Sequence, residues 1–240
     1  MTNLRRYRLP LTSLALVTTL LSAAVPLGAG ASTSPTAKSV IKSTTTALSK
    51  VSGVHIVVTS RSGTVNSTVV VDIGKSSGVE TVSSGLKKVT ITVTPSFAYL
   101  SGTASGLSTI MGLTAAQIKK VGSNSISMAA GTTPFTNFQK NLTSPVLLGM
   151  LPASKGTTLK AGTHNSKKDF QLSWTTKASG TTPLTKSVLV IASDKTSLPI
   201  KETIASSSGG GTTIFSKWGE AVNVQVPGVS SIVTYKKVFG

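Results

Sequence analysis

The sequence predicts an α+β fold organised around one large antiparallel sheet, on the strength of three changes in hydrophobic period. Apolar residues recur every three to four positions over residues 37–51, then at every second position from Val54 onward. The alternation stops over a very apolar, helical-looking stretch at residues 107–151 and returns beyond Pro152. The order is therefore helix, five strands, a helical insert and five or so strands, and one polar and one apolar face per strand suits a sheet that meets water on one side.

Taken in order, the opening helix places Ala37, Val40, Ile41, Ala47, Leu48 and Val51 on one face and stops at Gly53. Val54, Ile56 and Val58 then alternate with His55, Val57 and Thr59. After a Ser62-Gly63 turn, Val65, Val69, Val71 and Ile73 alternate with Asn66, Thr68, Val70 and Asp72, which completes a hairpin. A third strand is predicted around residues 79–82. A fourth has Val89, Ile91 and Val93 inside and Lys88, Thr90 and Thr92 outside, and a fifth covers residues 97–100 after Pro95.

In the insert, Leu107, Ile110, Met111, Leu113, Ala116 and Ile118 form a helical patch, and Ile126 and Met128 a short strand. Phe135, Phe138 and Leu142, then Val146, Leu147, Leu148, Met150 and Leu151, predict two short helices separated at Pro145. Further strands follow with Phe170, Leu172 and Trp174 inward against Asp169, Gln171 and Ser173, then over residues 187–192, at Ile200 and Ile204, over 214–218, and at Val222, Val224 and Val226. Gly and Ser cluster at Gly180, 194–197 and 206–211, where hairpin turns are needed.

The first 31 residues read as a secretory signal. Arg5, Arg6 and Arg8 precede an apolar run broken by Pro10 and Pro26, and Ala29-Gly30-Ala31 offers a small-residue cleavage site. A short polar linker at 32–36 and one domain at 37–240 are the expected remainder, in a secreted, periplasmic or cell-envelope protein. Cleavage after Ala31 lowers the formal charge from +18 to +15, because the signal takes three arginines and no acids with it. With no cysteine in the chain, a disulfide framework, a thiolate metal site and a cysteine nucleophile are all excluded.

The remaining cations are twenty lysines and the single Arg61. Nucleic-acid readout favours the planar arginine fork and interleaved aromatics, and both are scarce, so a nucleic-acid partner is not expected. A lysine-rich surface suits an anionic membrane surface or an acidic wall polymer. Only six acids occur, Asp72, Glu80, Asp169, Asp194, Glu202 and Glu220, most of them at turns or on the wet face of a predicted strand. Neither they nor His55 and His164 show metal-ligand or triad spacing, and a cleft bringing two acids, or an acid and a histidine, within hydrogen-bond reach would be needed to indicate an enzyme. The S-x-x-K tetrads at Ser39 and Ser84 lack their partner motifs, and Gly209-Gly210-Gly211 lacks the Lys and Ser/Thr of a phosphate cradle. The expectation is a protein without catalytic, metal or cofactor residues.

The positive signal is an apolar surplus. A one-layer sheet needs a cover, and the insert provides one in Leu, Met, Ile and Val. If cover and sheet pack fully they make an ordinary core; if they stand apart, the gap is an apolar pocket. Expected lining residues are Ile56, Val69, Val71, Ile91 and Val93 from the sheet, with Leu107, Ile110, Met111, Leu147, Leu148 and Leu151 from the insert.

The pieces Ala37-Lys38-Ser39-Val40, Ser52-Gly53-Val54-His55 and Leu198-Pro199-Ile200-Lys201 are followed by Thr213-Ile214-Phe215-Ser216-Lys217-Trp218-Gly219-Glu220 and Val222-Asn223-Val224-Gln225-Val226-Pro227. In this order they resemble the LppX/LprAFG-type lipid-binding lipoproteins of actinobacterial envelopes, which are related in fold to the LolA/LolB lipoprotein carriers. A similar F-S-x-W-G strand leads to a Val-x-Val-x-x-Pro ending in that family. The resemblance implies a LolA-like half-barrel, helices over its concave face, and a cavity for the acyl chains of envelope lipids or acylated glycolipids, bound and transported. Its members are commonly tethered through a lipobox Cys. Here Ser32 stands at that position, which favours a carrier that is not lipid-anchored. The rival expectation is a non-catalytic envelope interaction or sensor protein that binds anionic polymer or a partner through its lysines.

Overall fold

A computed structural model describes residues 34–177 and 183–240. The expected signal at 1–31, the first two residues of the linker and the turn expected at Gly180 lie outside the described residues. The first helix, α1 (Ala37–Leu48), opens with a reciprocal cap: the Ser39 amide donates to Thr36 Oγ1 at 3.1 Å, and the Thr36 amide donates to Ser39 Oγ at 2.9 Å. It ends at Leu48, short of the expected Val51, which is buried in the connection to the sheet.

Five strands then meander as expected: β1 (Gly53–Ser62), β2 (Val65–Gly74), β3 (Gly78–Ser84), β4 (Lys87–Val93) and β5 (Phe97–Gly102). The insert holds α2 (Ala104–Thr109), α3 (Ala115–Val121), β6 (Ser125–Ala129), α4 (Thr133–Leu142) and a 3₁₀ turn over Ser144–Met150. The patch expected as one helix around Leu107–Ile118 is two, separated at Gly112, whose φ of +68° a helix cannot accommodate. The break after α4 falls at Thr143, in extended conformation, and Pro145 sits inside the first turn of the 3₁₀ segment, where its missing N–H costs nothing.

The second half contains β7 (Thr158–His164), β8 (Lys167–Thr176), β9 (Thr185–Ala192), β10 (Pro199–Ser206), β11 (Gly209–Ser216), β12 (Ile232–Thr234) and α5 (Tyr235–Phe239). The glycine run 209–211, expected as a turn, belongs to β11. A Cβ on Gly209 would collide with the Arg61 carbonyl of β1, so only bare backbone can pair there. Val222, Val224 and Val226, expected as a strand, lie in a segment without regular secondary structure, outside the sheet. β7, β12 and α5 were not foreseen.

The twelve strands form one curved, unclosed sheet in the order β12-β6-β5-β4-β3-β2-β1-β11-β10-β9-β8-β7. Every neighbouring pair is antiparallel except β12 with β6. The first strand is central: β1 pairs β2 on one side and β11 on the other, joining the two meanders. Registers carry one face across the sheet in rows, Phe215–Ile56–Val71–Glu80–Ile91–Leu100–Ile126–Val233 being the central one. This inner face shares a single hydrophobic core with Val40 and Leu48 of α1, Leu107, Phe135 and Leu142 of the insert helices, and Leu147.

Candidate functional site

The expected lining residues all come to this inner face or to its cover, and they differ in exposure. Ile56, Val69, Val71, Ile91 and Val93 are buried on the sheet, and Leu107, Met111 and Leu147 are buried above them in the same core. Ile110 and Leu151 are half-buried against it, and Leu148 points away at 42 % exposure. Leu148 is on the outer side of the 3₁₀ turn, whose Leu147 is buried in the core and whose Val146 and Met150 pack against it. Sheet and insert therefore meet side chain to side chain at these positions, with α2 seated against β4 so closely that a Cβ on Gly106 would strike the Lys88 backbone.

Two carboxylates to which the strand period assigned no face point to the inner side of the sheet. Glu80 faces inward between Val71 and Ile91 at 2 % exposure, and its Oε1 has no hydrogen-bond partner. Burial pushes its pKa up to about 7. Glu202 pairs in register with Leu189 and Thr213 on the same face, and burial likewise pushes it up to about 7. Asp169 is also buried, at 1 % exposure, packed with Gln171 over the bare Gly162 of β7. The strand period could not reveal Glu80, because residues 79–82 offer Val on both faces.

Two depressions lie at opposite rims of the sheet. One, of about 540 Å³, is lined by residues 59–61 and 66–68 of β1 and β2, Thr203 and Ile204 of β10, and residues 210–212 of β11. It opens where the glycines of β11 leave no side chains. The other, of about 240 Å³, is lined by Val54, His55, Asp72, Lys217, Glu220, Ala221, Val222 and Asn223. There the cross-strand neighbours His55 and Asp72 meet, Nδ1 donating to Oδ1 at 2.7 Å, an acid and a histidine within the reach that an enzyme would need. The lining supplies no Ser, Thr or Cys nucleophile for the imidazole to activate. Among the described residues, no group of three or more His, Asp or Glu is placed to hold a metal ion.

The F-S-x-W-G stretch borders the second depression, which its Lys217 lines. Trp218 stacks on Phe215 with ring centroids 5.9 Å apart and donates from Nε1 to the Pro199 carbonyl at 2.9 Å. The Gly219 amide donates to the Gly53 carbonyl at 2.8 Å, and Ser52 Oγ to the Gly219 carbonyl at 2.7 Å. The motif thus clamps the last long strand to the start of the first. Among the described residues, no helix is long and apolar enough to cross a membrane.

No protein-family model matches the chain, and no curated protein matches it in sequence. Among solved structures, LprF from Mycobacterium bovis is similar with a TM-score of 0.50 at 14 % identity, over 80 % of this chain and 96 % of that one. The Mycobacterium tuberculosis lipoprotein LppX aligns with a TM-score of 0.45 at 15 % identity, over 79 % and 98 %. A DUF1329 family protein from Desulfovibrio piger aligns with a TM-score of 0.33 at 8 % identity, over 80 % and 96 %. The fold implied by the sequence resemblance to LppX/LprAFG-type proteins is the one the chain adopts: an open, curved antiparallel sheet under a helical cover, shared with LprF.

Proposed function

We propose that this protein binds a lipid outside the cytoplasm, holding acyl chains between the inner face of the sheet and the helical insert. The observation that carries the reading is the apolar inner row Phe215–Ile56–Val71 and Ile91–Leu100–Ile126, roofed by short helices, of which α2, against β4 and β5, has six residues and α4, across β2 to β6, has ten. Helices of that length have little stability of their own and stay in place by packing. An acyl chain that offers the same apolar contacts can replace part of that packing. Since Leu107, Met111 and Leu147 rest on the sheet, a chain enters as the roof lifts. The fold shared with LprF, the signal-like first 31 residues and the absence of a cysteine support a diffusible carrier of a lipid or acylated glycolipid.

Native mass spectrometry of the protein secreted by its own host is expected to show a population heavier by the mass of a bound lipid. Uptake of a fluorescent fatty acid is expected to persist in high salt, because apolar burial is not screened. Recovery of bare protein only, together with no uptake, would refute the reading. A second reading, binding of an anionic polymer through the lysines, is favoured by one observation. Glu80 and Asp169 are buried and Glu202 is half-buried on the inner face, leaving Asp72, Asp194 and Glu220 as the acids that oppose twenty lysines. It predicts binding to wall material that salt abolishes.

A further inference from the structure

Antiparallel order places the turns of the sheet on two rims. On one rim are the β1–β2 turn at 62–65, the β3–β4 turn at 84–87, the β10–β11 turn at 206–209 and the ends of β5 and β8. Neighbouring hairpin tips stand about 10 Å apart, two strand spacings. The two-residue loop Gly85-Leu86 leaves Leu86 at 94 % exposure, and Val65, at the end of the next hairpin, is 55 % exposed. Leu184, leading into β9 on the same rim, is 47 % exposed. An isolated exposed leucine is unremarkable, but here three apolar side chains are exposed along a single rim.

Their charged neighbours are all of one sign. Arg61, Lys87, Lys88, Lys177 and Lys186 flank these tips. None of the six acids is on this rim. Asp72, Asp169, Asp194 and Glu220 lie at or beside the opposite rim, and Glu80 and Glu202 sit within the sheet's inner face. The larger depression, which includes Arg61, opens at the same end.

We propose that this hairpin rim is a docking surface for an anionic lipid bilayer: Leu86 and Val65 enter the interface while Arg61, Lys87 and Lys88 contact the head groups. Apolar tips favour a bilayer over a soluble polyanion, which offers nothing apolar to bury them in. The all-cationic flank gives the electrostatic half of a two-signal attachment, suited to a protein that must reach a membrane and leave it again. The docking inference draws its purpose from the lipid-binding reading, since it delivers the groove end of the sheet to a lipid source, and its geometry stands independently.

The test compares binding of the full protein to vesicles of phosphatidylcholine alone and of phosphatidylcholine mixed with phosphatidylglycerol. Binding to the mixed vesicles is expected, weakened roughly tenfold by Leu86→Asp and roughly 30-fold by Lys87→Glu with Lys88→Glu. Lys236→Glu with Lys237→Glu makes the same charge change on α5, which packs at the β12–β6 edge of the sheet and not on the β1–β4 hairpin tips, and is expected to alter binding by less than about threefold. Unchanged binding in Leu86→Asp, or an equal loss in the α5 control, overturns the proposal, as does binding to dextran sulfate without binding to vesicles. Fatty-acid uptake delivered from ethanol, without vesicles, separates the two claims. Its absence in a protein whose vesicle binding depends on Leu86 refutes lipid holding and leaves docking intact, whereas uptake without vesicle binding does the reverse.

Discussion

Glu80 shows how one residue can run against its strand. It occupies an inward position between Val71 and Ile91, so its carboxyl is removed from water without a partner for Oε1. A carboxyl raised from 4.5 to about 7 holds its proton more tightly in the folded than in the unfolded chain. Between those values the native state binds more protons, so stability falls as pH rises from about 4.5 and the loss is complete above about 7. Glu80 alone is expected to make the protein about 2–3 kcal/mol less stable at pH 8 than at pH 5, with Glu202 acting in the same direction. Denaturant unfolding at the two pH values should show this difference shrink by about that amount in Glu80→Gln. An unaltered difference would mean that the carboxyl ionises without penalty. By contrast, Asp194 lies in an exposed turn, where the Thr196 hydroxyl and amide donate to Oδ1 and hold its pKa below the usual carboxylate range. Side-chain alternation correctly put Ile56, Val69, Val71, Ile91 and Val93 inside, yet it left Glu80 without a face, because a residue's type predicts its face only when the neighbouring positions differ in polarity.

Among the elements, the first five strands were legible because each alternates cleanly and ends at a turn signal. β7 was not, for its only sizeable apolar residue is Leu159, and edge strands need little apolar content when one side has no partner. β12 has three residues, too short for any period, and owes its place to β6. The β11 glycines read as a turn in sequence, and the close approach of β1 turned them into strand. α2 depends on a comparable approach: Gly106 lies against the Lys88 backbone, and Thr103 caps the helix by accepting from the Gly106 amide at 3.0 Å. Gly106→Ala is expected to push α2 off β4 at a cost of about 1–3 kcal/mol in unfolding free energy. Since α2 carries Leu107, the same substitution should alter the rate of fatty-acid uptake, measured by stopped-flow fluorescence, if the roof lifts there. Equal stability in the variant would show that the contact is looser than the geometry indicates.

For the whole molecule, the open sheet leaves two edges with different protection. α5 packs beside β12 at one edge, with Tyr235 and Phe239 stacked at 4.3 Å between ring centroids, while β7 ends the sheet at the other. Lys160 stands exposed in the middle of β7, and a charge on an edge strand discourages pairing with a second copy. Lys160→Val is expected to increase concentration-dependent self-association in analytical ultracentrifugation, with no loss of thermal stability. A monomer at all concentrations would assign the protection to another feature of that edge. The charge distribution has the same global character. Acids collect at one rim and in the interior, so the hairpin rim is cationic although its basic residues come from strands far apart in sequence.

By itself the sequence determined the class of fold, the meander of β1 to β5, the apolar character of the insert and the basic balance. Each follows from local periodicity or from composition, which tertiary contacts do not alter. The tertiary structure decided what depends on residues distant in sequence: β1 joining β11 at the centre of the sheet, the inward turn of Glu80 and Glu202, the His55–Asp72 pair, and the gathering of Leu86, Val65 and the flanking cations on one rim. Strand order and register bring these groups together, and they are set by packing over the whole sheet, which no local pattern in the chain encodes.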